Sequence, residues 1–345
     1  RPPFAIYPMA MLLVVGFVTF LYAPRGAGVV IGVLVYVLSQ STIKLTLKEV
    51  FTTCGFTFPK AISAMHFMGN ALAMAGVLAV RHGLRSSSTP LPVPTKDEFL
   101  RLILPISVAI SVSIGVSNMA LVFCSAAFTE VMGATNCLLT IPMLFFVGLD
   151  FNPMLALPAS LVAFGCILST EGELHFSAEG VVLCLLANVF RSGKVTLQQK
   201  LMTGESREKF DPCSLLLWSS MPCVCWMLCW SFATDGLEPL RFIARLEVQQ
   251  RHWLYISIGL SCLNAMTLNL AQLFVTKHLG AVGSQLIAQA KSVLTILGGM
   301  AVFKEQVTEV ELVGFAVVLF GVYLFARLEE PDKRQAPSGS GMLKQ

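Results

Sequence analysis

The chain is expected to be an all-α, polytopic membrane protein, because its charges leave gaps that a lipid core explains. Of 345 residues, 55% are hydrophobic and 13% charged, against about 25% charged in ordinary globular chains. The mean hydropathy is +0.73. Residues 26–43, 61–80, 151–170, 212–234 and 252–276 hold no Asp, Glu, Lys or Arg, and 102–149 holds one, Glu130. About 20 apolar residues cross a hydrocarbon core of about 30 Å as a helix. Lipid offers no partner to backbone N–H and C=O groups, so each crossing has to satisfy its own as a helix. The alternation of a membrane β-barrel is missing.

Ten spans follow in order near 27–48, 58–80, 100–123, 126–148, 153–170, 175–202, 212–233, 253–276, 280–302 and 308–327. Lys48 closes the first and Lys200 the sixth, both at interfacial positions. Pro59, Pro90 to Pro94, Pro153 and Pro212 fall between spans, where proline starts helices or occupies loops. An apolar stretch at 4–22 precedes them, as an additional N-terminal helix or a targeting remnant. The domains are then an N-terminal segment 1–26, a first five-helix repeat 27–170, a second 171–327, and a polar tail 328–345 expected to be disordered. Basic residues gather in the 80–100 and 203–211 loops and at the C-terminus, which the positive-inside bias puts in the cytosol.

Several function classes drop out. Most of the ten cysteines lie inside apolar runs and read as small hydrophobes, with no disulfide framework and no metal-ligand spacing. No cofactor is expected. A net charge of +4 is too small and scattered for nucleic acid. Nucleotide-binding loops and hydrolase motifs are missing, so no enzyme activity and no ATP hydrolysis is expected.

An internal repeat locates a candidate site. TNCLLTI at 135–141 resembles AKSVLTI at 290–296, an offset of 155, and Phe164-Gly165 falls near Phe320-Gly321. Five spans per half would insert the halves in opposite orientations, an architecture that holds substrate near the midplane. Ser284, Ala288, Lys291 and Thr295 share one helical stripe, and Thr129, Gly133, Asn136 and Thr140 are its counterpart. Small and polar stripes let helices approach and line a cavity.

The charges sharpen this. Lys291 sits mid-span, where insertion scales put the cost of lysine at about 2.5–3.5 kcal/mol, so it is expected to face a cavity, a partner or a bound anion. An ion pair with Glu130 or Glu179 is the structural alternative, as is a neutral lysine. Ala187, Arg191, Lys194 and Gln198 form a second stripe, with snorkelling the alternative for Lys194. Glu130 has three readings: proton coupling, a pair with Lys291, or a rim position. His66 reads as a packed histidine before a proton relay. The four tryptophans fit an interfacial belt, with mid-span Trp226 also able to stack on a base. The expected partners are a small anionic substrate and the lipid bilayer, with a monomer or homodimer as the assembly.

Four motifs then carry a resemblance. KEVFTTCGFTFP from Lys48 to Pro59, with ISAMH from Ile62 to His66, resembles the end of the first and start of the second helix of the triose-phosphate and nucleotide-sugar translocators of the drug/metabolite transporter superfamily. RSGKVTLQQKLM from Arg191 to Met202 resembles their basic sixth helix. Asn269, Lys291, the Phe303-Lys304-Glu305 turn and Gly314 to Gly321 match the last helices. The resemblance implies ten helices in two inverted repeats and an antiporter exchanging a nucleotide sugar for a nucleoside monophosphate. A sugar-phosphate/phosphate exchanger is the first alternative, and a non-transporting subunit that keeps the fold is the second. By position it implies that Lys194 and Lys291 bind substrate phosphate, with Asn136, Asn269, Ser284 and Gln198 as polar contacts. It places the chain in Golgi or ER membranes, with the plastid envelope as alternative. Ser292, Glu130 and Gly133 stand where the plastid phosphate group has an arginine, a histidine and a lysine, which turns the expectation towards a nucleotide sugar.

Overall fold

The computed structural model describes residues 25–84, 93–123, 132–150, 152–168, 177–203, 210–303 and 309–335, without the side chains of 290–303. Every regular element among them is helical. The 4–22 stretch and Glu130 lie outside the described residues, as does the side chain of Lys291. In chain order the helices are α1 (Arg25–Lys48), α2 (Pro59–Leu84), α3 (Leu104–Phe123), α4 (Asn136–Val147), α5 (Ala156–Leu168), α6 (Ala178–Thr203), α7 (Pro212–Asp235), α8 (Glu238–Arg245), α9 (Val248–Phe303) and α10 (Glu309–Gln335). α8 is a short amphipathic addition between charge-poor spans.

The helix ends have chemical causes. α3 is entered through a capping box in which Thr95 Oγ1 accepts from the Glu98 N–H and the Glu98 carboxylate accepts from the Thr95 N–H. Asp211 caps α7, its carboxylate accepting from the N–H groups of Cys213 and Ser214 just after Pro212. Gly148 ends α4 at φ 74°, a left-handed conformation that favours glycine. α10 runs on to Gln335, because Ala326 to Glu330 are mostly good helix formers.

The expected spans at 253–276 and 280–302 are two helical segments that adjoin without a loop at Gly280, whose φ of 72° and ψ of 176° are non-helical; together they are labelled α9. The break frees the N–H groups of the second segment, and Gln199 of α6 takes one of them: its Oε1 accepts from Ala281 N at 2.7 Å.

Five described stretches are long and apolar enough to cross a membrane: 59–81, 96–117, 178–203, 212–235 and 248–289. Shorter apolar helical stretches lie at 28–43, 132–147, 153–168 and 316–325. The outer surface is apolar as well as the core, and the core also holds many polar side chains. Phe145 and Phe146 are 81% and 79% exposed, and Leu34, Leu72, Phe164 and Phe232 also face outwards. Ser107, Asn136, Thr140, Asn188, Ser192, Thr196 and Gln285 are buried. Apolar side chains outside and polar ones within suit a hydrocarbon solvent.

Four helix pairs carry most of the packing: α1 with α9, α3 with α6, α2 with α7, and α5 with α10. The α5–α10 crossing is reciprocal. A Cβ on Gly165 would lie 2.7 Å from Gly314 O and 2.9 Å from Val318 Cγ2, and one on Gly321 would lie 2.7 Å from Val162 Cγ2 and 3.2 Å from Pro158 O. Each glycine thus lets the other backbone in, as close helix crossings in membranes require. We expect Gly165→Val to destabilise the protein by about 1–3 kcal/mol through overpacking against backbone that cannot yield. Gly76→Ala, which meets nothing within 4 Å, should cause no loss. Thermal unfolding of the detergent-solubilised variants tests both.

Candidate functional site

α1, α2, α3, α4, α6 and α9 enclose a cavity of about 320 Å³. Its cations come from one face of α6. Arg191 and Lys194 are three residues apart on a helix, so both side chains project to the same side. Lys194 Nζ donates to Gln272 Oε1 of α9 at 3.3 Å, and Arg191 Nη2 donates to Ser117 Oγ of α3 at 3.1 Å. Gly133 leaves room for the guanidinium: a Cβ there would stand 4.0 Å from Arg191 Nη1. Among the described lining residues there is no Asp or Glu.

Neutral amides form the adjoining wall. Asn136 Nδ2 donates to Gln285 Oε1 at 3.1 Å, while Asn136 Oδ1 accepts from Ser192 Oγ at 2.7 Å. One turn on, Gln289 Nε2 donates to Gly133 O at 3.3 Å. α4 and the second segment of α9 therefore meet through Gly133, Asn136, Gln285 and Gln289. Thr140 Oγ1 donates to Asn136 O and extends the network towards Ser192. A fully paired polar network holds its members in one geometry.

On α2, His66 Nε2 and Ser261 Oγ of α9 lie 2.7 Å apart in a hydrogen bond. His66 and Ser63 both line the cavity, opposite Tyr36 and Gln40 of α1. Apolar walls come from Phe67, Ile110, Ile114 and Leu268. The cavity is thus cationic in one part, neutral and hydrogen-bonding in another, and partly greasy, which suits an anion carrying a larger polar body.

Of the residues singled out from the sequence, Lys194, Arg191, Asn136 and Asn269 line this cavity, with Asn269 Nδ2 bonded to Ala265 O at 2.8 Å. Ser284 is buried and spends its hydroxyl on Ala281 O at 2.9 Å. Gln198 is buried, with no described partner for its Oε1. Neither of these two is among the lining residues. Trp226 is 47% exposed on the outside of α7. Lys200 Nζ donates to Val147 O at 2.7 Å, tying the end of α6 to that of α4. Tyr36, Gln40, Gln272, Gln285 and Gln289 went unnoticed in the sequence, because uncharged amides do not interrupt a charge-free gap. The signal was there: glutamines 285 and 289 recur one turn apart in an otherwise apolar run. Among the described residues no cluster of His, Cys, Asp and Glu could hold a metal ion, and the described cysteines form no disulfide with one another.

Residues 28–326 match the model of the Triose-phosphate Transporter family. UDP-uronic acid transporter 1 of Arabidopsis thaliana is 23% identical over 290 residues, 83% of this chain and 91% of its own length. A probable sugar phosphate/phosphate translocator of the same plant is 23% identical over 85% of this chain and 81% of its own. Human solute carrier family 35 member E4 is 25% identical over 89% and 82%. A solved crystal structure superposes on 88% of this chain and 100% of its own with a TM-score of 0.61 at 14% identity, a likeness of fold alone. With a match across nearly its whole length, the chain belongs to the Triose-phosphate Transporter family, a family of membrane transporters.

Proposed function

We propose that the protein is a secondary exchanger of a phosphorylated organic anion, with a nucleotide sugar entering against a nucleoside monophosphate. The observation that carries this reading is Lys194, which lines a cavity inside an apolar bundle beside Arg191 and has a neutral amide, Gln272, as its described contact. A cation in that setting gains most from a negative solute, and charge-assisted hydrogen bonds are about twice as strong as neutral ones. Lys291 is the second clamp in this reading, on the segment of α9 that carries Gln285 and Gln289. The names of the relatives point the same way, to UDP-uronic acid in one case and sugar phosphates in another. The second set keeps a sugar-phosphate/phosphate exchanger as the alternative.

Transport runs by alternating access between two inverted five-helix repeats. Packing supports that division. If α1 to α5 correspond to α6, α7, the two segments of α9, and α10, then α1–α9 and α3–α6 exchange places, while α2–α7 and α5–α10 map onto themselves. The reciprocal glycines at 165 and 321 obey the same mapping. Exchange follows from the charge of Lys194: held only by a neutral amide among its described contacts, it makes an empty cavity costly through the transition between states, and an anion from either side relieves that cost. A Golgi or ER membrane fits such cargo.

Lys194→Ala should lower counterflow in proteoliposomes at least tenfold, the scale of one lost charge-assisted contact, with insertion and melting close to wild type. Lys291→Ala is expected to abolish it. Uptake by wild-type protein with no substrate inside would contradict obligate exchange. A thermal-shift screen of nucleotide sugars, sugar phosphates and nucleoside monophosphates should raise the melting temperature for one class, the rise growing with the logarithm of ligand excess. No shift with any of them would remove the carrier reading.

A further inference from the structure

The cavity has two ends of different chemistry, and they are far apart. Lys194 meets Gln272 at one end, and His66 meets Ser261 at the other. Positions 261 and 272 lie on the same helix, about 16 Å apart at a rise of roughly 1.5 Å per residue. Both ends line the one cavity. A solute as short as inorganic phosphate fills only the cationic end.

The far end is built from uncharged groups. On α2 the lining around His66 is Ser63 and Phe67, and α1 adds uncharged Gln40 and Ile43 to the same cavity. Lys60, the nearest lysine in sequence, is engaged elsewhere, with Thr234 Oγ1 at 2.7 Å and Asp235 at 3.9 Å. Ser63 Oγ donates to Pro59 O, which leaves its oxygen able to accept only. In the His66–Ser261 pair one ring nitrogen is committed, and a neutral imidazole keeps the complementary role at the other. Donors and acceptors are thus interleaved, with an apolar ring edge beside them. That is the chemistry of a hydroxylated ring, and offers nothing to a second anionic group.

Resting on the exchanger reading, we propose that His66, positioned by Ser261, is a specificity-determining residue that selects phosphate esters carrying a neutral hydroxylated moiety over the bare phosphate anion. The cations fix the phosphate end, and His66 tests whether a hydroxylated body follows at the right distance. The pair is more than core packing because it lies on the wall of the cavity and in line with its cationic end.

The test uses the purified full chain in lipid nanodiscs and isothermal titration with two probes, inorganic phosphate and a panel of UDP-sugars and hexose phosphates. His66→Ala and Ser261→Ala should weaken the best-binding ester about tenfold or more while moving phosphate affinity less than twofold. Equal weakening of both probes in both variants, or unchanged ester binding in both, overturns the proposal. Should His66→Ala fail to fold, Ser261→Ala and His66→Gln carry the same comparison. Wild-type protein that binds phosphate but no ester also overturns it, yet leaves the anion site standing. Wild-type protein that binds neither probe removes the exchanger reading itself.

Discussion

A lysine ammonium inside a bundle whose outer surface is hydrocarbon-facing has few ways to be stable. It can pair with a carboxylate, reach the interface, or face a polar space that an anion visits. Lys194 faces such a space and rests on Gln272. An amide oxygen solvates the charge without cancelling it, so the group stays attractive to a negative solute. Replacing Gln272 by a carboxylate would make a stable ion pair and fill the same site from within. On the proposed exchanger reading, glutamine in place of glutamate here keeps the ammonium available to a substrate, and the neutral lining around it extends the same principle.

The polar interior explains why the cavity survives at all. Buried side-chain groups in lipid have to find partners or lose several kcal/mol each. Asn136 bonds to Gln285 and accepts from Ser192, and Gln289 bonds to Gly133 O, so beside the apolar contacts of Cys137, Leu144, Val195, Val282 and Leu286 the helices α4, α6 and α9 are also tied together by amides at the cavity. Elsewhere the helices close tightly: Gly165 and Gly321 bring α5 against α10 with no room for a methyl. Tight packing at that crossing and polar standoff around the cavity are two answers to the same absence of water.

Much of this was legible in the sequence because the bilayer simplifies the code. Long gaps between charges marked where helices lie, and the stripe of Arg191 and Lys194 at helical spacing marked a common face. The offset repeat pointed to Asn136 and its counterpart helix. Other features carried no such signal. The non-helical Gly280 joins two helical segments directly, and Gln199 reaches from another helix to satisfy Ala281. Ser284 belongs to the polar stripe by spacing, yet its hydroxyl is consumed by its own helix. Gln285, one position away, takes the contact instead, because the rotation of a helix about its axis is set by neighbours and not by its own period. Glutamines are also invisible to any reading built on charge.

The bend at Gly280 has consequences for how the halves move. The first segment of α9 packs on α1 and carries Asn269 and Gln272, while the second carries Gln285 and Gln289. Continuous helices transmit rotation stiffly, whereas a residue at φ 72° and ψ 176° interrupts the backbone ladder and lets the segments swing independently. At the break, Gln199 of α6, the helix that carries Arg191 and Lys194, accepts from Ala281 N of the second segment. On the proposed exchanger reading, an anion drawn to Arg191 and Lys194 would act on the same helix that holds the N-terminus of the second α9 segment. Because the link is a side chain accepting from a backbone N–H, it costs about one hydrogen bond to release and nothing of the helix on either side. On that reading, the proposed anion site and the break at Gly280 share α6 and are joined through the Gln199 amide.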